Sequence, residues 1–451
     1  LPLTGKKYRI QNADKKNKRG KTMFEERYAE RIKSLSPSPI RKMMAIAKDL
    51  MAQGKTVYEL NIGQPDIECI PEFVQAVNRK TQTGQINYSP YIGEKYLRET
   101  FARYLNNFFD RRHLRHLVVD TDNVLVTVGA SNALNNVFLA ICNPGDEVLA
   151  IEPFFTPYIG YLGLADGVLK AIPTRAENNF ALPSEEEIEK LITPKTKAIL
   201  LNSPNNPSGK IYSREEIERL ARVCVRHQLF LISDEVYREM ILGDEEAFSV
   251  LQLDLADEEL NEKLKNLMIV IDSASKSFSL CGIRIGFVVA RKPMVDKIAM
   301  VTAHSVACVS DLAQYGVAGA YDAVLARPDY LYQLRQTYRE RLDATMQAIE
   351  EYLPHVVAPR PAGAFYLMIK FPEFEDITEF CLYMLEKFNM GGETVAVTPA
   401  NGFYLDPSRG RNEIRVALVV SPEKMRRSIE IISEALKAFK LHKANQVRPM
   451  L

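Results

Sequence analysis

Lys276 lies in the run Ser273-Ala274-Ser275-Lys276, directly after the apolar stretch 268–272 and just before Gly282, Arg284 and Gly286. Most lysines are solvated surface charges. One held at the end of a buried strand gives up its proton more readily and can form a Schiff base with an aldehyde. Asp234 follows a second apolar stretch, 229–233. A carboxylate there is costly to bury unless it meets a cation, and a protonated ring nitrogen is a natural partner. Gly129-Ala130-Ser131-Asn132 follows a third stretch, 124–128, and opens a helical pattern. Free N–H groups at a helix start, beside a serine hydroxyl, favour a phosphate. The glycines form neither a GKS/GKT loop nor a G-x-G-x-x-G fingerprint, so a nucleoside triphosphate or dinucleotide is disfavoured and a smaller phosphate ligand remains. A fourth polar cluster, Asn205-Asn206-Pro207-Ser208-Gly209, follows the stretch 197–202.

The elements that must position these residues are short apolar runs at 124–128, 147–151, 197–202, 229–233, 268–272 and 285–290. Their Val, Ile and Leu content suits strands buried on both faces. Between them, 131–142, 184–191 and 213–227 read as amphipathic helices, the last opened by an S-x-x-E capping box, Ser213 with Glu216. The alternation predicts an α/β fold, a mostly parallel sheet flanked by helices. In such sheets ligands bind beyond the carboxyl ends of the strands, where all four polar clusters fall. Each cluster alone is ordinary turn chemistry; four on one edge point to one site. After about residue 310 the pattern changes to helices at 311–325 and 331–352, short strands at 364–369, 395–397 and 413–418, and a helix at 422–439. We expect a smaller α+β domain over 316–451, a large domain over 76–315, and a segment 23–75 that joins the small one.

Composition narrows the function class. The 451 residues carry 58 Lys/Arg against 57 Asp/Glu. That balance disfavours nucleic-acid binding by bulk charge and an acidic disordered chain. Residues 1–22 hold eight Lys/Arg and one acid, Asp14, so the rest has 50 basic and 56 acidic side chains, net −6. We read 1–22 as a basic tail or an added segment, with Met23 as a possible native start. The six cysteines are scattered without a CxxC pair, so neither a disulfide framework nor a zinc site is expected, and no metal. No apolar run approaches 18 residues. A cytoplasmic, soluble protein is the expectation.

Over residues 36–436 the chain resembles the fold-type I, pyridoxal-phosphate-dependent aminotransferases of class I/II, the aspartate aminotransferase superfamily. The resemblance rests on ordered motifs: NIGQPD (61–66), YSPYIG (88–93), VGASNAL (128–134), EPFFTPY (152–158), NSPNNPSG (202–209), SDEVY (233–237), SASKSFSLCGIRIG (273–286), PAGAFY (361–366) and NEIRVAL (412–418). It implies that Lys276 forms the Schiff base with pyridoxal 5'-phosphate and shuttles the substrate Cα proton, while Asp234 keeps the pyridine nitrogen protonated. It also implies that Tyr237 and Asn206 bond the phenolic oxygen and that Phe155 stacks on the ring. Ala130, Ser131, Ser273 and Arg284 would cup the phosphate. Tyr88 would reach the phosphate of a neighbouring subunit, which makes a homodimer with shared sites. Arg415 would grip the substrate α-carboxylate, with Gly63 and Asn206 assisting.

The implied reaction is ping-pong transfer of an amino group between an L-amino acid and a 2-oxo acid. Two alternatives share the scaffold: a lyase, decarboxylase or synthase acting on an amino acid, and an aminotransferase-like sensor domain of a regulator. Some aspartate-specific relatives place a lysine where Ser131 stands, which argues against a dedicated aspartate activity. Arg41, in a segment where relatives place a substrate-facing loop, is a candidate cation, with solvent exposure as the alternative. Tyr91 and Ile92 would favour an apolar or aromatic substrate side chain if they line the pocket.

Overall fold

The computed structural model describes residues 27–29, 32, 39–110, 118–244 and 248–447. The expected tail, 1–22, and residues 36–38 lie outside the described residues, as does the side chain of Arg41. By their contacts, residues 1–37 and 38–451 form two units. In the first, the Ile32 amide donates to the Ala29 carbonyl at 2.9 Å.

The second unit holds twelve strands among the described residues: β1 Thr56–Glu59, β2 Val124–Thr127, β3 Glu147–Glu152, β4 Val168–Pro173, β5 Thr196–Asn202 and β6 Phe230–Asp234 come first. They are followed by β7 Met268–Ser273, β8 Gly286–Val289, β9 Tyr366–Lys370, β10 Glu393–Ala396, β11 Thr398–Pro399 and β12 Glu413–Ala417. The central sheet has the order β2-β8-β7-β6-β5-β3-β4. Strands β3 to β7 pair in parallel, and β8 runs against both β7 and β2. Six strands therefore point the same way. The expected α/β class is the one observed.

The unbroken apolar runs reflect two cores. Val124 and Val126 of β2, Ile199 and Leu201 of β5, and Val270 of β7 enter one core, packed by the helices Arg214–His227 and Asp311–Ala326. Their neighbours Leu125, Ala198, Leu200, Ile269 and Ile271 enter the other, packed by Gly129–Ile141 and Lys292–Ser305. With side chains alternating across the sheet, both faces must be apolar. Each such buried Val, Leu or Ile contributes about 1.5–3 kcal/mol. The Ser213–Glu216 capping box forms as read, with the Ser213 hydroxyl accepting from the Glu216 amide and the Glu216 carboxylate from the Ser213 amide.

Strand β4 was not expected. It sits at the sheet edge, so its residues alternate between buried and exposed instead of forming an apolar run. The boundary expected at 315/316 falls inside the continuous helix Asp311–Ala326, and residues 38–451 cluster as one unit. A second, antiparallel sheet has the order β11-β12-β9. Strand β1 pairs in parallel with β10, which ties the segment after residue 55 to the C-terminal part of the chain.

Candidate active site

The parallel register sets Asn202 beside Asp234, each the last residue of its strand, and Ser273 ends β7. Strand β8 begins between the ends of β2 and β7, because Gly286 pairs with both Thr127 and Ser273. A Cβ on Gly286 would lie 2.4 Å from the Gly129 carbonyl carbon and 2.6 Å from the Ala130 nitrogen. Only glycine lets these backbones meet.

A cavity of about 380 Å³ opens at this strand edge. Its wall brings together Gly63, Ala130, Ser131, Phe155, Asn206 and Asp234 with Tyr237, Ser273, Lys276, Arg284 and Arg415. Tyr88 is not on the wall; it is 92% exposed. Tyr91 and Ile92 do not line the cavity either. Tyr91 is half exposed, and Ile92 packs against the second core.

Lys276 sits in the one-turn helix Ala274–Ser277, capped by the Ser273 hydroxyl. Its Nζ donates to the Gly63 carbonyl at 2.7 Å, with the Cys281 sulfur 3.7 Å away. Asp234 is 4% exposed. Its Oδ2 accepts from the Tyr158 hydroxyl at 2.5 Å, while its buried Oδ1 has no partner. Burial pushes its pKa up to about 6, although the Tyr158 hydroxyl and the Val236 amide pull it down. The nearby acids Asp272 and Glu235 push it further up. Asp234 is on the cavity wall, and an unpaired buried carboxylate oxygen there fits a cationic N–H from a ligand.

Arg284 adopts φ +59° and donates from Nη1 to the Cys281 carbonyl at 2.8 Å. Its guanidinium lies against Gly129, whose φ is +75° and whose Cβ, if present, would lie 2.3 Å from Nη2. The helix Gly129–Ile141 starts there, so its free N–H groups, Arg284 and the hydroxyls of Ser131, Ser273 and Ser275 converge. That set fits a phosphate. Ser131 Oγ accepts from the Tyr161 hydroxyl at 2.8 Å, and Ser273 Oγ donates to Ser275 Oγ at 2.7 Å.

Across the cavity, Arg415 is 4% exposed and is carried by β12. Its Nη2 donates to the Asn61 carbonyl at 2.8 Å and its Nη1 to Asn206 Oδ1 at 3.3 Å, and Nε is unpartnered. The guanidinium lies 4.6 Å from the Tyr366 ring centre and 5.2 Å from that of Phe403. Burial lowers its pKa from the usual arginine value. The Tyr237 hydroxyl is 3.1 Å from that of Tyr366 and 3.5 Å from Asn206 Nδ2. Burial holds Tyr237 well above the usual phenol pKa, so it stays a neutral donor.

Several contributors went unassigned in the sequence. Tyr158 and Tyr161 lie in or next to EPFFTPY and Tyr366 ends PAGAFY, but their letters do not show which hydroxyl meets Asp234, Ser131 or Tyr237. Asp66 accepts from both Nη1 and Nη2 of Arg341 at 2.6 and 2.8 Å, and Arg341 Nη1 also donates to the Leu418 carbonyl at 3.1 Å. This bidentate pair pins the NIGQPD segment, and with it the Asn61 and Gly63 carbonyls. Its partners are 275 residues apart, which no local pattern reveals.

Residues 55–432 match the family described as aminotransferase class I and II. The chain is 31% identical to a probable aspartate/prephenate aminotransferase of Aquifex aeolicus, over 90% of this chain and 98% of that one. It is 32% identical to an aspartate aminotransferase of Thermotoga maritima, over 89% and 98%. Among solved structures, a Thermus thermophilus aspartate aminotransferase with maleate is similar with a TM-score of 0.80 at 30% identity, covering 90% of this chain and 99% of that one.

Proposed function

Since the chain belongs to the aminotransferase class I and II family and is an aminotransferase, we propose that it moves an amino group between an L-amino acid and a 2-oxo acid with pyridoxal 5'-phosphate held in the cavity described above. The observation that carries the cofactor assignment is the buried, unpaired Asp234 Oδ1 sharing one cavity with Lys276 and Arg284. In this reading Arg284, Ser131, Ser273 and the Ala130 amide hold the phosphate. Asp234 would pair with the ring nitrogen, Phe155 would pack on the ring, and Asn206 with Tyr237 would bond the phenolic oxygen. Lys276 Nζ would hold the aldehyde carbon. When bound, the cofactor supplies an aldehyde that takes the amino group and an electron-withdrawing ring that weakens the substrate Cα–H bond.

The remaining steps belong to the chain. Arg415 fixes the α-carboxylate through Nη1 and Nη2, turning it so that the Cα hydrogen faces Lys276. Lys276 Nζ, once free, takes up the Cα proton and hands it on. Asp234 stays ionised against the cationic ring nitrogen. Tyr88, exposed in the single chain, is assigned to the site of a second copy, so the working unit is a homodimer. Among the described residues no helix is long and apolar enough to cross a membrane. With the scattered, unpaired cysteines, we assign the enzyme to the cytoplasm.

The test is a panel of amino donors with 2-oxoglutarate, pyruvate and other oxo acids as acceptors, with the products read by mass spectrometry. Transamination gives paired oxo-acid and amino-acid products that depend on the acceptor. Ammonia, carbon dioxide or a cyclised product without an acceptor refutes the reading.

A further inference from the structure

Resting on the aminotransferase reading above, we infer that Tyr366 is a positioning residue for this reaction, joining the carboxylate clamp to the hydrogen bond on the cofactor's phenolic oxygen. Its ring holds the Arg415 guanidinium, and its hydroxyl orients the Tyr237 proton. Tyr366 is 2% exposed and lies on the cavity wall. It opens β9 opposite Ala417 of β12, so it shares a face of that sheet with Arg415. There the ring centre is 4.6 Å from the guanidinium. A desolvated cation–π contact fixes the cation without using its N–H groups. Arg415 therefore keeps donors for a carboxylate beside those it gives to the Asn61 carbonyl and Asn206 Oδ1.

The role of the hydroxyl follows from its protons. Tyr237 has one hydroxyl proton and an oxygen that can accept two bonds. Asn206 Nδ2 donates to that oxygen at 3.5 Å. In the loaded site the Tyr237 proton goes to the phenolic oxygen, so the Tyr366 hydroxyl, 3.1 Å away, must be the donor of their pair. A hydroxyl that accepts a bond becomes a stronger donor itself. Gly63 confines the Tyr366 hydroxyl from another side, because a Cβ on Gly63 would overlap it. The charged and titratable groups facing this hydroxyl pair are Asp234, Tyr158, Lys276, Arg415 and Tyr338.

The test titrates the visible absorbance of the holoenzyme with pH in wild type, Tyr366→Phe and Tyr366→Leu. Steady-state kinetics follow with aspartate, glutamate, alanine, leucine and phenylalanine as donors. Tyr366→Phe keeps the ring and loses the hydroxyl. A weaker Tyr237 donor leaves the phenolic oxygen more basic, so the titration midpoint should rise by about 0.5–1 pH unit while KM stays within about twofold. Tyr366→Leu loses both parts. It should show the same rise, with KM about tenfold above that of Tyr366→Phe for every donor that reacts. A tyrosine that only fills the core would change stability and leave the midpoint in place. An unchanged midpoint in Tyr366→Phe overturns the inference, and so does a Tyr366→Leu KM equal to that of Tyr366→Phe. Wild-type protein that takes up no pyridoxal 5'-phosphate, or converts no donor, overturns the aminotransferase reading and this inference with it.

Discussion

Replacing Asp234 by asparagine should stabilise the cofactor-free protein while destroying its activity. Burial raises the Asp234 pKa from 3.8 to about 6. A folded-state pKa above the unfolded one means that the carboxyl favours folding fully below about pH 4 and loses that contribution as pH rises through about 6. At 1.36 kcal/mol per pH unit, the ionised group costs the folded state about 3 kcal/mol at pH 8. Asp234→Asn removes that charge and keeps an oxygen for the Tyr158 hydroxyl. It also leaves a buried NH₂ where Oδ1 now lacks a partner, which offsets part of the gain. Asp272, whose pKa is likewise raised to about 6 by burial, loses a nearby like charge. The net expectation is a gain of about 1–3 kcal/mol at pH 8, shrinking toward zero as pH falls to about 4. Urea unfolding of the cofactor-free protein, followed by far-UV circular dichroism across that range, measures it. Turnover of the holoenzyme variant should fall at least about 100-fold, because the ring nitrogen loses its counter-ion. A variant less stable than wild type at pH 8, or a difference independent of pH, refutes the reasoning.

Arg415→Ala should leave the visible spectrum of the holoenzyme intact and lower kcat/KM for every amino donor by about 100-fold, since two charged hydrogen bonds to the carboxylate are lost; a fall confined to one donor would contradict the assignment. Gly286→Ala should cost about 1–3 kcal/mol of stability and weaken cofactor binding, because its Cβ meets backbone atoms of Gly129 and Ala130 that cannot rotate away. Equilibrium unfolding and cofactor titration check this, and wild-type values in both would show that the strand ends need not approach so closely.

The sheet was legible where burial is two-sided. The runs at β3, β5, β6 and β7 are apolar at nearly every position because alternate residues feed two cores, and the strands lie within a residue or so of where the runs predict. Edge strand β4 and the short, half-exposed β1 carry no such run, so they were invisible. The direction of β8 was also hidden, since an apolar run has no polarity. At the site, the residues after each strand end could be read because the edge of a parallel sheet gathers them. What could not be read are contacts between distant segments: Tyr158 on Asp234, Arg341 on Asp66, and the Asn61 carbonyl on Arg415. Their hydroxyls, carbonyls and guanidinium groups are common residue chemistry whose meaning depends on the fold. The helix expected over 311–325 is the observed Asp311–Ala326, and the expected 315/316 boundary lies within it.

The central claim is that Lys276 holds the cofactor in this cavity. Borohydride reduction of the purified holoenzyme, followed by proteolysis and mass spectrometry, tests it most directly. The account predicts the mass of a reduced phosphopyridoxyl group on the peptide containing Lys276, and its absence in Lys276→Ala together with the visible absorbance. The label on a different lysine, or an unchanged visible spectrum in Lys276→Ala, would contradict it.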